Sequence, residues 1–346
     1  MVADEVAFVI GVDTHAETHT LVLVEALSQR TLESLTIPAT RRGYRRALRF
    51  ARRQAPGRRC WALEGSGSYG AGLARFLSER DEQLLEVERP AREGNRGRLK
   101  FDLLDAERAA RAVLSGRAGS SPRLGREPQA LRALLVTREG AVSACTAALN
   151  ELRALIVTAP PELRERLQRL SETALLEACL RLRPAGNDSE RAALALALRS
   201  LAARVRQLRA EAKTLERELS RRTQSLAPEL RDRPGVGPIT AAALLVAWSY
   251  PGRLRNEAAF ARLAGVAPIP ASSGKTTRHR LDRGGDRRLN RALHTIVLTL
   301  RRIDPTTQHY IARRTSEGKT TREAVRCLKR YLARSLYRLM EAMPTT

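Results

Sequence analysis

Residues 6–13, VAFVIGVD, decide the fold of the first third of the chain, because six apolar residues and one glycine lead directly into a carboxylate, Asp13. A polar turn through His19 follows, and then a second apolar run, residues 21–24. Short apolar runs rich in β-branched residues and joined by a polar turn are typical of neighbouring strands. We therefore predict a pair of strands, the first of which ends at Asp13.

Strands and helices alternate in the sequence that follows this pair. Such alternation is typical of an α/β domain, and we predict one over residues 1–118. The predicted strands are residues 31–37, 60–63 and 84–87, and the predicted helices are residues 41–53, 69–79 and 103–115.

The remainder of the chain is predicted to be helical. Residues 129–224 are rich in Ala, Leu, Arg and Glu, which indicates two or three long helices within a helical or coiled-coil region, residues 119–228. An apolar stripe with 4-3-4-3-4 spacing favours a helical hairpin or a coiled-coil partner. Its role is open between a plain linker, dimerisation and holding RNA. Residues 229–346 are predicted to form a mainly α C-terminal domain. The stripe consists of Leu201, Val205, Leu208, Ala212, Leu215 and Leu219.

The charge of the chain points to a polyanionic partner. Lysine and arginine number 62 against 37 acids, a formal net charge of +25, and only five of the cations are lysine. Arginine matches phosphate oxygens with a planar fork of donors, and solubility alone needs a net charge of only about 2–8 in magnitude. Nucleic acid is therefore the first hypothesis, and a solvated arginine-rich surface is the alternative.

Several other classes of protein are unlikely on composition. The four cysteines are widely separated and have no nearby histidine pair, so neither a zinc knuckle nor a disulfide framework is predicted. Acids stand near the N-terminus where a signal peptide carries cations. The apolar residues 239–248 are too few to cross a bilayer, which needs about 20. We predict a cytoplasmic chain that does not associate with a membrane.

Four acids in the predicted α/β domain are candidate metal ligands. Asp13 and Glu64 each end a predicted strand, and Asp102 and Asp105 stand three apart at the start of a predicted helix, so both can face the strand ends. Convergent carboxylates repel one another unless divalent cations lie among them, and hard oxygen ligands suit magnesium or manganese. Such ions assist phosphodiester cleavage. The alternative is that these acids only cap strands and helices.

The motifs around these acids resemble a known family. GVDTH (residues 11–15), ALEGSGSYG (62–70) and KFDLLDA (100–106) look like the acidic motifs of the DEDD-type insertion-sequence transposases, and the four acids match that tetrad in order and spacing. The N-terminal domain of that family resembles the RuvC-like resolvases of the ribonuclease H fold. RPGVGPITA (233–241) and APIPASSGKTTRHRLDRGGDRRLNRAL (267–293) are similar to its C-terminal domain.

This resemblance implies a reaction and its partners. Ser273 would attack DNA and form a transient phosphoserine link, completed by the metal-bound acids, and Ser272 is its rival on chemical grounds alone. Donor and target DNA would be chosen by a structured RNA, and paired strand cuts imply a dimer or a tetramer. The cations predicted to contact phosphate are Lys275, Arg278, Arg280 and Arg287.

A glycine-rich turn opens the predicted helix 239–248. Gly235 and Gly237 let the backbone approach a ligand closely, and the free amides of a helix start favour phosphate, as in helix-hairpin-helix DNA binders. A purely structural tight turn is the alternative.

We therefore expect a DNA transposase or recombinase. One alternative is a metal-dependent Holliday-junction-type nuclease that uses water. Another is a catalytically silent nucleic-acid-binding protein.

Overall fold

The computed structural model describes residues 6–87, 102–116, 120–183, 189–270, 279–280 and 284–343. The chain forms two compact units, of which the first combines Met1–Pro128 with Leu244–Thr346 and the second consists of Gln129–Ala243. The predicted residues Ser272, Ser273, Lys275 and Arg278 lie outside the described part.

A five-stranded mixed sheet forms the centre of the first unit, in the order β3-β2-β1-β4-β5. β1 pairs antiparallel with β2, and β2 with β3, whereas β1 pairs parallel with β4, and β4 with β5. The predicted strand pair is confirmed, with Asp13 as the next-to-last residue of the first strand. The strands are β1 (Phe8–Thr14), β2 (Thr18–Glu25), β3 (Thr31–Pro38), β4 (Arg59–Glu64) and β5 (Gln83–Val87).

Helices cover both faces of this sheet, because successive side chains of a strand point to opposite sides. Ile10 and Val12 pack with α1 (Arg41–Gln54) and α2 (Ala71–Ser78) on one face. Val9 packs with α3 (Asp102–Leu114) on the other. The predicted α/β class of the N-terminal region agrees with this arrangement.

Gly11 lets α3 lie directly on β1. A Cβ atom at this position would lie 1.9 Å from the carbonyl oxygen of Ala106 and 2.9 Å from the backbone nitrogen of Ala110. No side chain fits in that space. The close approach brings the first turn of α3 to the end of β1, where Asp13 lies.

Two long antiparallel helices dominate the second unit, as predicted. Arg138 of α4 pairs with Glu216 of α7 at 3.1 Å, and Glu151 of α4 with Arg204 of α7 at 3.9 Å, so residue numbers rise along one helix as they fall along the other. Of the predicted stripe, Leu201, Val205 and Leu219 are buried and the other three members are half-buried. The helices after α3 are α4 (Arg126–Val157), α5 (Pro161–Gln168), α6 (Glu172–Leu180), α7 (Ser189–Leu226), α8 (Pro228–Arg231) and α9 (Pro238–Trp248).

Among the described residues, α4 alone is long and apolar enough to cross a membrane by length and composition. A single helix of this kind is weak evidence, since core helices of other proteins meet the same criterion. Glu151 and Arg153 of α4 form ion pairs with Arg204 and Glu172, which places charges and their partners along this helix.

The C-terminal part of the first unit is helical. α13 packs against α10, α11 and α12, and a two-residue pair of strands, β6 with β7, stands between α10 and α11 in the sequence. The helical C-terminal region predicted from sequence agrees with this. The elements are α10 (Glu257–Leu263), β6 (Ile269–Pro270), β7 (His279–Arg280), α11 (Arg287–Ile303), α12 (Pro305–Ser316) and α13 (Thr321–Glu341).

Arg253 joins this C-terminal part to the sheet. Its side chain is 1% exposed, and its guanidinium donates to Glu86 of β5 at 3.1 Å, to the Ser121 carbonyl at 3.0 Å and to the Ala247 carbonyl at 2.7 Å. Burial, and then the charge of Arg123, lower the pKa of the Arg253 guanidinium, whereas Glu86 opposes this shift. A buried cation is thus satisfied by groups from separate parts of the chain.

Candidate active site

Asp13 lies at the end of β1 and faces α3. Its alternation with Val9 and Gly11 along the strand puts it on the α3 side of the sheet. The residue is only 3% exposed. A carboxylate buried to this degree requires partners, because an unpaired buried charge is costly.

Glu64 ends β4, the strand beside β1. The two strands are parallel and Val12 pairs with Leu63, so Glu64 follows at the position next to Asp13. The hydroxyl of Thr14 donates to the Glu64 carbonyl oxygen at 2.8 Å, which ties the two strand ends together. Two of the predicted acids therefore stand at the same edge of the sheet, on adjacent strands.

Asp102 meets Asp13 through a histidine. Nε2 of His15 lies 3.0 Å from Oδ2 of Asp13 and 3.3 Å from Oδ1 of Asp102. One ligand atom from each of the three residues lies within 4.8 Å of the other two. Two carboxylates this close repel each other, so a cation held among these atoms would stabilise the group.

Asp105 stands one turn further along α3. Its carboxylate accepts a hydrogen bond from Nη1 of Arg108 at 3.0 Å, and it is not a member of the triad formed by Asp13, His15 and Asp102. The structure thus brings two of the four predicted acids together, sets Glu64 on the neighbouring strand end, and pairs Asp105 with an arginine.

For His15, as for His19, the sequence favours a solvent or turn role over a place in the acidic site, although His15 stands two residues after Asp13. The residue does follow β1 in a turn, where its backbone N–H donates to the Thr18 carbonyl at 3.0 Å, but its ring lies between two acids. The available signal was its position two residues after Asp13, since side chains two apart along an extended chain share a side.

His19 is a core residue, so the solvent or turn role predicted for it was wrong. It lies in β2, is fully buried, and its ring stacks on Tyr44 with centroids 5.8 Å apart. Its Nδ1 contacts the Thr18 carbonyl at 2.9 Å, and Nε2 has no hydrogen-bond partner within the described residues. Burial lowers the pKa of the His19 imidazole, because protonation would leave a buried charge at that nitrogen.

The donor set fits a divalent cation. Carboxylate oxygens are the hard ligands preferred by magnesium and manganese, and an imidazole nitrogen suits manganese and other transition ions. Asp13, Asp102 and His15 can each present one such atom to a common point. Side chains from a strand end, a turn and a helix start thus meet in one place.

Two backbone segments, Leu263–Gly265 and Gly284–Asp286, pack against each other on either side of the predicted serine in the sequence. The backbone N–H of Asp286 donates to the Leu263 carbonyl at 2.6 Å. Gly285, with φ +85°, lies so close that a Cβ atom there would stand 2.6 Å from that same oxygen and 2.7 Å from the nitrogen of Gly265. The amide of Asn290 donates to the Ala264 carbonyl at 2.7 Å.

Two of the predicted phosphate-binding cations lie in the described part of the chain. Arg280 is exposed in β7, opposite Ile269 of β6. Arg287 is exposed at the first position of α11, and Asp286 caps that helix by accepting from the backbone N–H groups of Arg288 and Leu289 at 2.9 and 3.0 Å. Both arginines are accessible to a polyanion.

The predicted glycine turn opens α9, as expected. Gly235 has φ +82°, a conformation that favours glycine, and no atom lies within 4 Å of a Cβ built on Gly237. Nη1 of Arg231 donates to the Val236 carbonyl at 2.8 Å and holds the turn from one side. The geometry is compatible with backbone approach by a ligand and equally with a structural turn.

Comparisons with known proteins match both ends of the chain. Residues 10–161 match the model of the DEDD transposases of the IS110 type, and residues 227–312 match the model of the transposase IS116/IS110/IS902 family. Together the two models cover about two thirds of the chain.

Two curated relatives are similar over shorter stretches. The insertion element IS110 uncharacterized 43.6 kDa protein of Streptomyces coelicolor is 31% identical over 144 residues, which are 41% of this chain and 36% of the relative. The insertion element IS900 uncharacterized 42 kDa protein of Mycobacterium paratuberculosis is 39% identical over 101 residues, 28% of this chain and 25% of the relative. The alignments therefore span only about a third and a quarter of the relatives' lengths.

Proposed function

Since the chain belongs to the DEDD-type insertion-sequence transposases of the IS110 group, we propose that it cuts and rejoins DNA at an insertion sequence. The observation that carries the proposal is the convergence of Asp13 and Asp102 on His15 at the end of β1. In sequence, these acids match two members of the tetrad that gives the family its name. The order of the mixed sheet supports a RuvC-like fold for this domain.

We propose that the acidic residues hold a divalent cation. Asp13 and Asp102, with His15 beside them, would bind magnesium or manganese, and Glu64 and Asp105 would complete the set. When bound, the cation would supply positive charge that stabilises the negative charge developing on a phosphodiester. The positions of Asp13 and Asp102 are fixed by packing, because Asp13 is buried in the sheet and α3 is packed onto Gly11.

The nucleophile of the proposed reaction is Ser273. Its Oγ would form a bond to phosphorus as the bond from phosphorus to a deoxyribose oxygen breaks, the serine proton leaves, and the departing oxygen gains a proton. The reverse attack by a deoxyribose hydroxyl restores the serine and rejoins DNA, so no oxidant or reductant is needed. Lys275, Arg278 and Arg280 would neutralise phosphate. The support for these roles is the sequence motif of residues 267–293.

The partners of the reaction follow from the same membership. DNA is the substrate, a structured RNA would select donor and target, and two or four copies would make the paired cuts. The net charge of +25 supports binding of more than one nucleic acid. Gly235, Gly237 and Arg287 would contact backbone phosphates. A chain that acts on DNA in this way would work in the cytoplasm.

Covalent capture of DNA tests the proposal. The protein is expressed with its native flanking DNA, recovered under denaturing conditions in magnesium, and examined for attached DNA. The variants are wild type, Ser273→Ala, Ser272→Ala, Asp13→Asn and Glu107→Gln. Glu107 is the matched control, because it lies on α3 but bonds to Thr31 and Arg111.

Attachment is expected in wild type, Ser272→Ala and Glu107→Gln, and its loss is expected in Ser273→Ala and Asp13→Asn. Cutting without attachment in every chain except Asp13→Asn would replace the proposal with a nuclease that uses water. Binding without cutting in all variants would leave a catalytically silent nucleic-acid-binding protein.

A further inference from the structure

A row of arginines runs along α13, outside all the sites described above. The five side chains stand at strict four-residue intervals, and each step of four residues rises about 6 Å along a helix, so the row extends over about 24 Å. Each step also turns about 40° around the helix axis, so the row winds partly around α13. Among the buried residues of this helix are Ala333, Leu336 and Met340. The α13 arginine row consists of Arg322, Arg326, Arg330, Arg334 and Arg338.

One carboxylate faces most of this row. Glu257 at the start of α10 lies 3.9 Å from Arg330, 2.7 Å from Arg334 and 3.0 Å from Arg338. A single negative charge cannot neutralise three guanidinium groups. Within the described ranges, Arg322 and Arg326 are exposed and form no ion pair.

The remaining acids of α13 are already engaged at its two ends. Glu323 accepts from the backbone N–H and the hydroxyl of Thr320 at 2.8 and 2.9 Å in a capping box. Glu341 accepts from Nε1 of Trp248 at 2.6 Å and from the backbone N–H of Gly252 at 2.9 Å. The five arginines of the row therefore outnumber the three acids Glu257, Glu323 and Glu341, and the row keeps an excess of positive charge.

Helix stability does not account for the row. Like charges at four-residue intervals destabilise a helix, and four such pairs follow one another here. Exposed ion pairs contribute little to folding, so the shared Glu257 does not reverse this. A polyanion lying along α13 would relieve the repulsion.

We propose that the α13 arginine row binds the sugar–phosphate backbone of duplex DNA without reading its bases. The guanidinium fork matches phosphate oxygens, and backbone contacts position a duplex without carrying sequence information. Single-stranded nucleic acid is usually held by stacking on aromatic side chains. Tyr331 is the one exposed aromatic residue of α13, and its ring packs edge-on against Tyr310 with centroids 6.0 Å apart. The choice of DNA rests on the proposed function.

Salt-dependent binding tests the proposal on the full chain. Arg322→Gln/Arg326→Gln is compared with Arg45→Gln/Arg49→Gln, a matched pair of exposed arginines four residues apart on α1. Binding of two short duplexes of unrelated sequence is measured against salt concentration without added magnesium. Each phosphate contact contributes about 0.9 to the slope of log K against log salt, so the α13 pair is expected to lower the slope by about 2 on both duplexes. The α1 pair is expected to leave it unchanged.

A third variant tests the sign of the effect. Glu257→Gln removes the carboxylate that contacts Arg330, Arg334 and Arg338, so it is expected to tighten duplex binding. Thermal melting of each variant verifies that the chain is folded. Equal slope losses for the α13 and α1 pairs would overturn the proposal in favour of a diffuse charge effect. A loss seen with a structured RNA hairpin and not with duplex DNA would overturn the choice of DNA.

The result of this binding experiment does not depend on whether the protein cuts DNA. Wild-type protein that binds duplex DNA through the row but never cuts it would reject the proposed function and keep this inference, because the binding assay contains no cleavage step.

Discussion

Gly11 carries a constraint that reaches the candidate active site. Its missing side chain lets α3 lie on β1 with backbone in contact, and α3 begins with Asp102. A substitution here must displace the helix, since the atom that a Cβ would strike is a backbone oxygen at 1.9 Å. The geometry of Asp13 and Asp102 thus depends on a residue that has no functional group of its own.

We expect Gly11→Ala to destabilise the protein by about 3 kcal/mol or more, at the upper end of the usual cost of overpacking. Gly67→Ala is the control, because no atom lies within 4 Å of a Cβ built at that position. Urea denaturation of the two variants and wild type measures the difference. Equal stability of the two variants would show that α3 does not pack on β1 in this way.

His15 is expected to set the metal requirement of DNA cutting. Under the proposed function, His15→Ala removes one of three donor atoms, and the magnesium or manganese concentration for half-maximal cutting should rise about tenfold or more. The side chain is 30% exposed, so the fold should be unaffected. His309→Ala, an exposed histidine on α12, is the control. An unchanged metal requirement would remove His15 from the site.

The sequence predicts the acids as candidate ligands, but it does not distinguish the two histidines from each other. Asp13 and Glu64 follow apolar runs and Asp102 has helical spacing to Asp105, so the sequence predicts that the four acids converge, with simple capping as the alternative. Among the described residues, the structure brings Asp13 and Asp102 together around His15. His15 and His19 lie in one polar stretch with the same local composition. Only the pairing of β1 with β2 separates them, because it buries His19 beneath Tyr44 and leaves His15 at the strand end. That strand pairing is a long-range contact, which local sequence patterns do not specify.

At the scale of elements, a buried ion pair joins β4 to the residue before β5. The carboxylate of Glu82 accepts from Nε of Arg59 at 2.8 Å and from Nε1 of Trp61 at 2.9 Å, and its side chain is 6% exposed. Burial raises the pKa of Glu82, but the hydrogen bonds from Arg59 and Trp61 outweigh burial, so the pKa lies below its usual 4.5.

This pair predicts an acid-sensitive edge of the sheet. A carboxyl whose pKa is lowered by folding stabilises the protein above its unfolded pKa, and we expect that stability to be lost as the pH falls below about 4.5. Glu82→Ala should cost about 3–5 kcal/mol at neutral pH, because it leaves a buried guanidinium unpaired. The Glu82→Ala variant should also show a smaller decrease in the free energy of unfolding between neutral and acid pH than wild type.

Thermal melting between pH 7 and pH 3 checks the prediction, with Glu79→Ala as control, since that side chain is 72% exposed. An equal decrease of the melting temperature at acid pH in Glu82→Ala and in wild type would contradict the prediction.

Helices and strands were largely predictable because each carries its own period. The 4-3-4-3-4 stripe in α7 and the alternation along β1 each specify an element and its buried face. The half-buried middle of the stripe, Leu208, Ala212 and Leu215, was less predictable, because burial there depends on how much of α4 lies opposite.

At the scale of the whole molecule, contacts group residues far apart in sequence. Met1–Pro128 and Leu244–Thr346 form one compact unit, and Arg253 bonds to Glu86 and to Ser121 within it. Composition changes along a chain mark linear segments and carry no record of such long-range contacts. The three-part division made from the sequence stays a prediction.

We expect Arg253→Met to destabilise the chain by about 3–5 kcal/mol, because the carboxylate of Glu86 loses the guanidinium with which it pairs. Adding Glu86→Leu should restore part of the loss, since a buried pair replaced by apolar groups is often close to neutral. Arg255→Met, at an exposed position two residues away, is the control. Chemical denaturation of the single and double variants gives the coupling between the two sites. Additive losses would mean that the pair is not coupled.

The backbone contact between Leu263–Gly265 and Gly284–Asp286 fixes two stretches of the chain that are separate in sequence. The hydrogen bond from Asp286 to Leu263 and glycines packed backbone to backbone hold them together. Because the contact is made by backbone atoms, it leaves no hydrophobic or charge pattern in the sequence. An amide proton held in such a contact exchanges slowly with solvent, so hydrogen–deuterium exchange at the Asp286 N–H is expected to report whether the two stretches stay together.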